Sequence, residues 1–294
     1  IMWKKNIFIK NNITPFTLSR TKIDLFFDCN RCFYLDQRFG IKRPHGTPLV
    51  INNFVVNHFK NKINEYRSSQ NVFPDSEKIN KKLIPSDHNL INSWNHPFKG
   101  IYYVDKKTNF KLKASLDDVW FCDDTKKYLP VTIKSTSKKK DLVLENIWPG
   151  YWKQLSLYSY LLSKNLMETT STGIMIYINA SSNSPSDKKK IDFDLSIFEK
   201  SIDLTWIEPT LNDIYSILNS DSVPLNRHNC KYCKLAKMLL KNHELDYEEV
   251  ILNEEDKIAD LLKEDVNTVP QIYLDGKRIG GYDELNVYLQ PIYD

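Results

Sequence analysis

Apolar residues recur at helical spacing in two early stretches. Thr17–Arg38 carries an aromatic and aliphatic face (Leu25, Phe26, Phe33, Tyr34, Leu35), with Gly40 and Pro44 to close it, and predicts one helix. Asn53–Arg67 repeats Phe54, Val55, Phe59 and Ile63 at the same period and predicts a second. Residues 71–99 are rich in Asn, Ser and Pro and follow no period. Strand-like runs come next at Lys99–Val104, Phe110–Cys122 and Tyr128–Ser135, parted by polar turns at Asp105–Asn109 and Asp123–Lys127. Past Lys138-Lys139-Lys140, the pattern predicts an aromatic helix at Trp148–Leu162 and a strand at Gly173–Asn179. A polar loop, an edge strand at Lys190–Leu195 and a closing helix at Trp206–Asn219 follow.

From Cys230 the texture changes. Helix Lys231–Asn242, strand Tyr247–Leu252, helix Glu254–Lys263, strands Gln271–Leu274 and Lys277–Ile279, and helix Tyr282–Leu289 make a small α/β unit that lacks its first strand. The whole therefore reads as an α/β chain of two domains, 1–220 and 221–294.

Composition narrows the class. The chain of 294 residues is 41% hydrophobic and 27% charged, ordinary values for a globular protein that buries a core. No apolar run reaches the ~18 residues that span a bilayer, and no apolar leader opens the chain. A cytoplasmic protein that makes no membrane contact is expected. Charge is uneven. Residues 221–294 hold 9 Lys+Arg against 15 Asp+Glu, while 1–220 hold 32 against 22, a net +10. A basic body with an acidic tail points to a polyanion, DNA, as a partner of the first domain only.

Four of the five cysteines form two C-x-x-C pairs, Cys29/Cys32 and Cys230/Cys233. Without a secretion signal such pairs point to metal or redox chemistry rather than to structural disulfides. Cys230 opens a helix, where unpaired amides and the macrodipole favour a thiolate, and Cys233 lies one turn inside. Thr268-Val269-Pro270 precedes a strand, and a proline there can hold a cis peptide against the thiols. Gly280-Gly281-Tyr282-Asp283 turns into the last helix, where backbone N–H groups can hold a carboxylate.

These three motifs, in this order, resemble the glutaredoxin family over roughly 223–294. The resemblance implies a thioredoxin-like fold and glutathione-linked disulfide exchange. In it Cys230 is the nucleophile and Cys233 the resolving thiol. Arg227, Tyr232, Thr268, Val269, Pro270, Gly281 and Asp283 hold glutathione, and protein disulfides are the other partner. One departure stands out: before Cys230, where the family has its central strand, this chain offers Val223-Pro224-Leu225-Asn226. A proline there removes a ladder donor.

A second constellation lies upstream. Asp117-Asp118 ends one strand-like run, and Val131-Thr132-Ile133-Lys134 lies on the next. An acid on one strand with an acid-x-Lys on its neighbour holds Mg²⁺ and sets a cation beside a phosphate. Gln154 and Tyr158 sit at i, i+4 on one helix. Together with Cys29-x-x-Cys32-Phe33-Tyr34-Leu35 and the closing C-x-x-C, these residues resemble the RecB-like branch of the PD-(D/E)XK nuclease superfamily over about 15–235. That resemblance implies a restriction-endonuclease-like α/β core, with Asp117 as metal ligand, Lys134 as catalytic cation, and Gln154 and Tyr158 in DNA binding. Thr132, however, stands where the second acid belongs. A site with one carboxylate holds Mg²⁺ weakly and loses transition-state stabilisation, so a DNA-binding domain with a weakened active site is expected. The other reading is an active Mg²⁺-dependent nuclease. The same resemblance implies that Cys29, Cys32, Cys230 and Cys233 meet around an iron–sulfur cluster or Zn²⁺, the thiolate count such sites need. One pair cannot serve both a cluster and disulfide exchange at once.

Overall fold

The computed structural model describes residues 6–43, 50–136, 143–180, 193–225 and 270–289, together with Cys230, Tyr232, Leu240, Lys241, Glu244, Asp246, Glu248, Val250 and Ile258. Within the helices expected at Lys231–Asn242 and Glu254–Lys263, Tyr232, Leu240, Lys241 and Ile258 are described and helical. Within the strand expected at Tyr247–Leu252, Glu248 and Val250 are described and lie outside any strand. The remaining residues of all three lie outside the described residues. The chain groups into two compact units, each discontinuous in sequence. No helix among the described residues is long and apolar enough to cross a membrane.

One unit spans 48–105 and 111–208. Its frame is a five-stranded sheet of β2 (Leu83–Pro85), β5 (Asp118–Cys122), β6 (Lys127–Thr136), β7 (Thr172–Ala180) and β8 (Phe193–Ser201), in that spatial order. Only β6 and β7 run parallel, and α5 (Pro149–Lys164) supplies the crossover a parallel pair requires. Helix α3 (Val50–Ser69) packs on β6 and β2, and α5 packs on β6 and β7.

Strand alternation sorts residues between these two layers. Val131 and Ile133 of β6, with Ile174, Ile176 and Ile178 of β7, join Val55 and Ile63 of α3 in one core. Met175 and Tyr177 join Trp152 and Leu155 of α5 in the other. Trp120 is fully buried in the α3 core, ring to ring with Phe73 at 4.9 Å. Truncating such an anchor to Ala costs about 3–5 kcal/mol.

Sequence reading places one strand over Phe110–Cys122. The structure has two, β4 (Phe110–Ala114) and β5, broken at Ser115-Leu116-Asp117. Leu116 N–H donates to the Trp94 carbonyl at 3.0 Å and the Ser115 hydroxyl to the Asn95 carbonyl at 3.0 Å, so local partners interrupt the ladder. β3 (Ile101–Asp105) lies beside β4, and the short helix α4 (Ile91–Trp94) precedes them.

The other unit spans 1–47, 106–110 and 209–294. The single helix expected over Thr17–Arg38 is instead a strand, β1 (Phe16–Ser19), then α1 (Arg20–Asp28), α2 (Asn30–Tyr34) and a π-helical turn (Leu35–Phe39). Cys29 parts α1 from α2 with extended angles, φ −165° and ψ 113°. Aromatic patterning at i, i+3 and i+4 survives such a one-residue break, which is why periodicity did not reveal it. Gly40, at φ 71°, caps the turn.

Phe8, Phe16 and Phe110 pack edge to face in this unit. Tyr34 donates its hydroxyl to the Ser220 carbonyl at 3.1 Å, which anchors the end of α6 (Ile207–Asn219). Val223–Leu225 forms no strand, as its proline leads one to expect. β9 (Ile272–Leu274) and β10 (Lys277–Gly280) form an antiparallel hairpin, followed by α7 (Tyr282–Tyr288). The hairpin turns through Asp275 (φ 50°) and Gly276 (φ 76°), the left-handed pair a tight two-residue loop requires.

Candidate functional site

The break at Cys29 builds the first site. Cys29 N–H closes α1 on the Leu25 carbonyl at 2.9 Å, and its own carbonyl accepts from Phe33 N–H at 3.0 Å. The Sγ atoms of Cys29, Cys32 and Cys230 all lie within 4.8 Å of one another. Cys32 Sγ is 3.7 Å from Cys230 Sγ, and no disulfide joins these residues. All three thiols are buried, Cys230 at 4% exposure, with Leu25 and Tyr232 packed against them.

Arg43 completes the cluster. Its Nη1 donates to Asp28 Oδ2 at 3.1 Å, its Nη2 lies 3.6 Å from Cys230 Sγ, and its guanidinium stacks 4.5 Å from the Tyr232 ring centroid. Burial works against the Arg43 charge, but Cys32, Asp28 and Cys230 outweigh it and raise its pKa above the ordinary arginine value. Arg43 was not among the residues singled out from sequence. Nothing in its local pattern marks it, because only the tertiary fold brings it to Cys230.

Of the glutathione ligands expected from sequence, Arg227, Thr268 and Val269 lie outside the described residues, as does Cys233. Tyr232 stands under Arg43, and Pro270 stands two residues before β9. Gly281 N–H donates to Glu284 Oε2 at 2.7 Å, so the α7 terminus is capped from within. Asp283 belongs to the first turn of α7.

The second site lies wholly in the unit that holds the five-stranded sheet. Asp117 and Asp118 sit where β5 begins, and strand alternation sends them to opposite sides. Asp118 goes to the α3 side. Arg67 Nη2 meets both its oxygens, at 2.7 and 2.8 Å, and Trp120 Nε1 donates to it at 3.0 Å. One guanidinium nitrogen thus forks across both oxygens of the buried Asp118 carboxylate. Asp117 goes to the α5 side. Its Oδ2 accepts from Thr132 Oγ1 at 2.5 Å, Ile133 N–H at 3.2 Å, Lys134 Nζ at 3.1 Å and Gln154 Nε2 at 3.4 Å. Burial alone would raise the Asp117 pKa. The Lys134 ammonium, Lys60 and the hydrogen bonds from Thr132 and Lys134 override it and hold the carboxyl below its ordinary 3.8.

Gln154 also donates to Tyr158 Oη at 2.5 Å, and Tyr158 donates to the Ser115 carbonyl at 2.8 Å. Gln154 and Tyr158 are 3% and 2% exposed. They act inside the site, steadying Asp117, rather than on the helix surface that an isolated i, i+4 pair suggests. The four residues expected to converge (Asp117, Lys134, Gln154 and Tyr158) form one hydrogen-bonded chain. Thr132, at the second acid position, is fully buried and supplies a hydroxyl instead of a carboxylate. Among the described residues, the cysteine trio is the one group with metal-ligating geometry.

Comparison with known proteins speaks to the C-terminal part. Residues 214–279 match the glutaredoxin family model. Glutaredoxin 1 of Rickettsia bellii is 40% identical over 62 residues, covering 19% of this chain and 63% of that protein. Glutaredoxin 1 of Rickettsia typhi is 41% identical over 61 residues, covering 19% and 59%. Hybrid peroxiredoxin hyPrx5 of Haemophilus influenzae is 28% identical over 140 residues, covering 47% of this chain and 50% of that protein. The chain thus spans between half and just under two thirds of the length of these relatives. The matched segment contains both Cys230 and Cys233 and ends one residue before Gly280. The C-terminal part of this α/β chain, residues 214–279, is therefore similar to glutaredoxins, a match to a thioredoxin-like family.

Proposed function

We propose that the chain is a thiol–disulfide oxidoreductase that uses glutathione, with Cys230 as nucleophile and Cys233 as resolving thiol. The observation that carries this is Cys230 at the head of Cys-x-Tyr-Cys inside the matched segment, with the Arg43 guanidinium 3.6 Å from its sulfur. A cation at that distance stabilises negative charge on the attacking sulfur and on the sulfur it displaces. Arg227, Tyr232, Thr268, Val269, Pro270, Gly281 and Asp283 are the proposed glutathione contacts, and protein disulfides the proposed substrates. A mixed-disulfide reduction assay with glutathione tests the reading. Cys230→Ser abolishes turnover, whereas Cys233→Ser retains a monothiol fraction. Equal loss in both variants, with metal released from each, overturns it.

A specific observation favours a second reading, a thiolate metal site. Zn–S bonds of about 2.3 Å in a tetrahedron set sulfurs roughly 3.8 Å apart, and Cys32 and Cys230 stand 3.7 Å apart. Cys29, Cys32 and Cys230, with Cys233 as fourth ligand, fit Zn²⁺ or an iron–sulfur cluster by donor type. Metal analysis and the visible spectrum of the anaerobically purified chain separate the two readings. One equivalent of metal per chain, lost in Cys29→Ser, supports the metal site.

For residues 1–220 we propose a nuclease-like, DNA-binding domain that cuts weakly or not at all. The net +10 supports binding. Asp117, paired to Lys134 and facing Thr132, leaves one carboxylate for Mg²⁺. Robust Mg²⁺- or Mn²⁺-dependent cleavage that is lost in Asp117→Ala overturns the weakened-site reading.

A further inference from the structure

Disulfide exchange at Cys230 and Cys233 leaves the Cys29-x-x-Cys32 pair without a task, yet its sulfurs sit against the nucleophile. Cys32 Sγ is 3.7 Å from Cys230 Sγ. A disulfide needs about 2.05 Å, so the two close by less than half their separation. Arg43 ties the two segments together through Asp28, beside Cys29, and Cys230. Cys32 already lies at contact distance from Cys230, so resolution from within needs no second external thiol to reach that sulfur. An internal thiol held this close reacts at a high effective concentration.

We propose that Cys32 resolves the Cys230–glutathione mixed disulfide, forming an internal Cys32–Cys230 disulfide; the inference rests on the reading of Cys230 as nucleophile. In the first step the Cys230 thiolate attacks glutathione disulfide. Its S–S bond breaks, a Cys230–S–S–glutathione bond forms, and one glutathione thiolate leaves and takes a proton from solvent. In the second step Cys32 loses its proton and attacks Cys230 Sγ. The Cys32–Cys230 bond forms, and a second glutathione thiolate leaves and is protonated. Two protein thiols are oxidised, and one glutathione disulfide is reduced to two glutathiones. Reversal with excess glutathione returns both thiols.

The test uses the full chain, reduced and then treated with one equivalent of glutathione disulfide, quenched by alkylation and mapped by non-reducing tryptic mass spectrometry. Arg31 lies between Cys29 and Cys32, and Lys231 between Cys230 and Cys233, so each cysteine falls on its own peptide. In Cys233→Ser the expected product is the Cys32–Cys230 linked pair, with little adduct left on Cys230. In Cys32→Ser/Cys233→Ser the adduct on Cys230 persists. The same link, sought at early quench times in the unsubstituted chain, keeps the test open should a variant misfold. A persistent Cys230 adduct with Cys32 intact, or a link to Cys29, overturns the role of Cys32 while Cys230 stands as nucleophile. No adduct and no link at Cys230 overturns both readings.

Discussion

Thr132 donates its hydroxyl to Asp117 Oδ2 across 2.5 Å, the same oxygen that Lys134 Nζ meets at 3.1 Å. A hydroxyl there can stabilise a carboxylate but adds no charge to bind a cation. Thr132→Asp would set two carboxylates together at a fully buried position, and like charges so close destabilise each other. The expected outcome is a lower thermal midpoint than the unsubstituted chain in chelator, regained in Mn²⁺ or Mg²⁺. The unsubstituted chain should not respond to these ions. A matching metal-induced rise in both proteins sinks the single-carboxylate account.

Acid should act through the same residue. Because Asp117 titrates below its ordinary 3.8 in the folded protein, its ionised form contributes stability above that pH. The contribution is lost as pH falls through the depressed folded value. Urea midpoints of the unsubstituted chain and Asp117→Asn should therefore differ at neutral pH and converge in strong acid. A gap that widens as pH falls would mean that Asp117 is not held ionised by Lys134.

Arg67 and Asp118 form the structural counterpart on the α3 face. Removing one member of a buried ion pair leaves the other uncompensated, at about 3–5 kcal/mol. Arg67→Ala should lower unfolding free energy by that order in a denaturant titration. Asp118→Asn added to it should restore part of the loss, since the orphaned charge is gone. If the double variant is as unstable as the sum of the single ones, the pair is not coupled.

DNA binding should be electrostatic. Each phosphate neutralised contributes a slope of about −0.9 in log K against log salt on duplex DNA, and backbone contacts discriminate little between sequences. Lys138-Lys139-Lys140 follow the Lys134 strand in sequence and lie outside the described residues. Replacing all three by Ala should flatten the anisotropy-measured slope by about 0.9 for each lysine that meets a phosphate. No binding at low salt, or an unchanged slope, removes this role.

Local chemistry is legible along the chain. Alternation in β6 and β7 and the helical stripe of α3 follow from the periods and side-chain types of neighbouring residues, and the glutaredoxin motifs are carried by resemblance. The convergence of Asp117, Lys134, Gln154 and Tyr158 is implied by the family resemblance alone, since periodicity gives each residue a face but not a neighbour on another element. Other features depend on which distant segments meet. The helix break at Cys29 leaves the aromatic spacing intact, so periodicity passes over it. The packing of α3 and α5 on opposite sheet faces decides the partners of two adjacent aspartates, Arg67 for Asp118 and Lys134 for Asp117. Arg43 reaches Cys230 across 187 positions, and Cys32 reaches it across 198. No local pattern encodes such a distance, since long-range neighbours are chosen by the packing of whole elements.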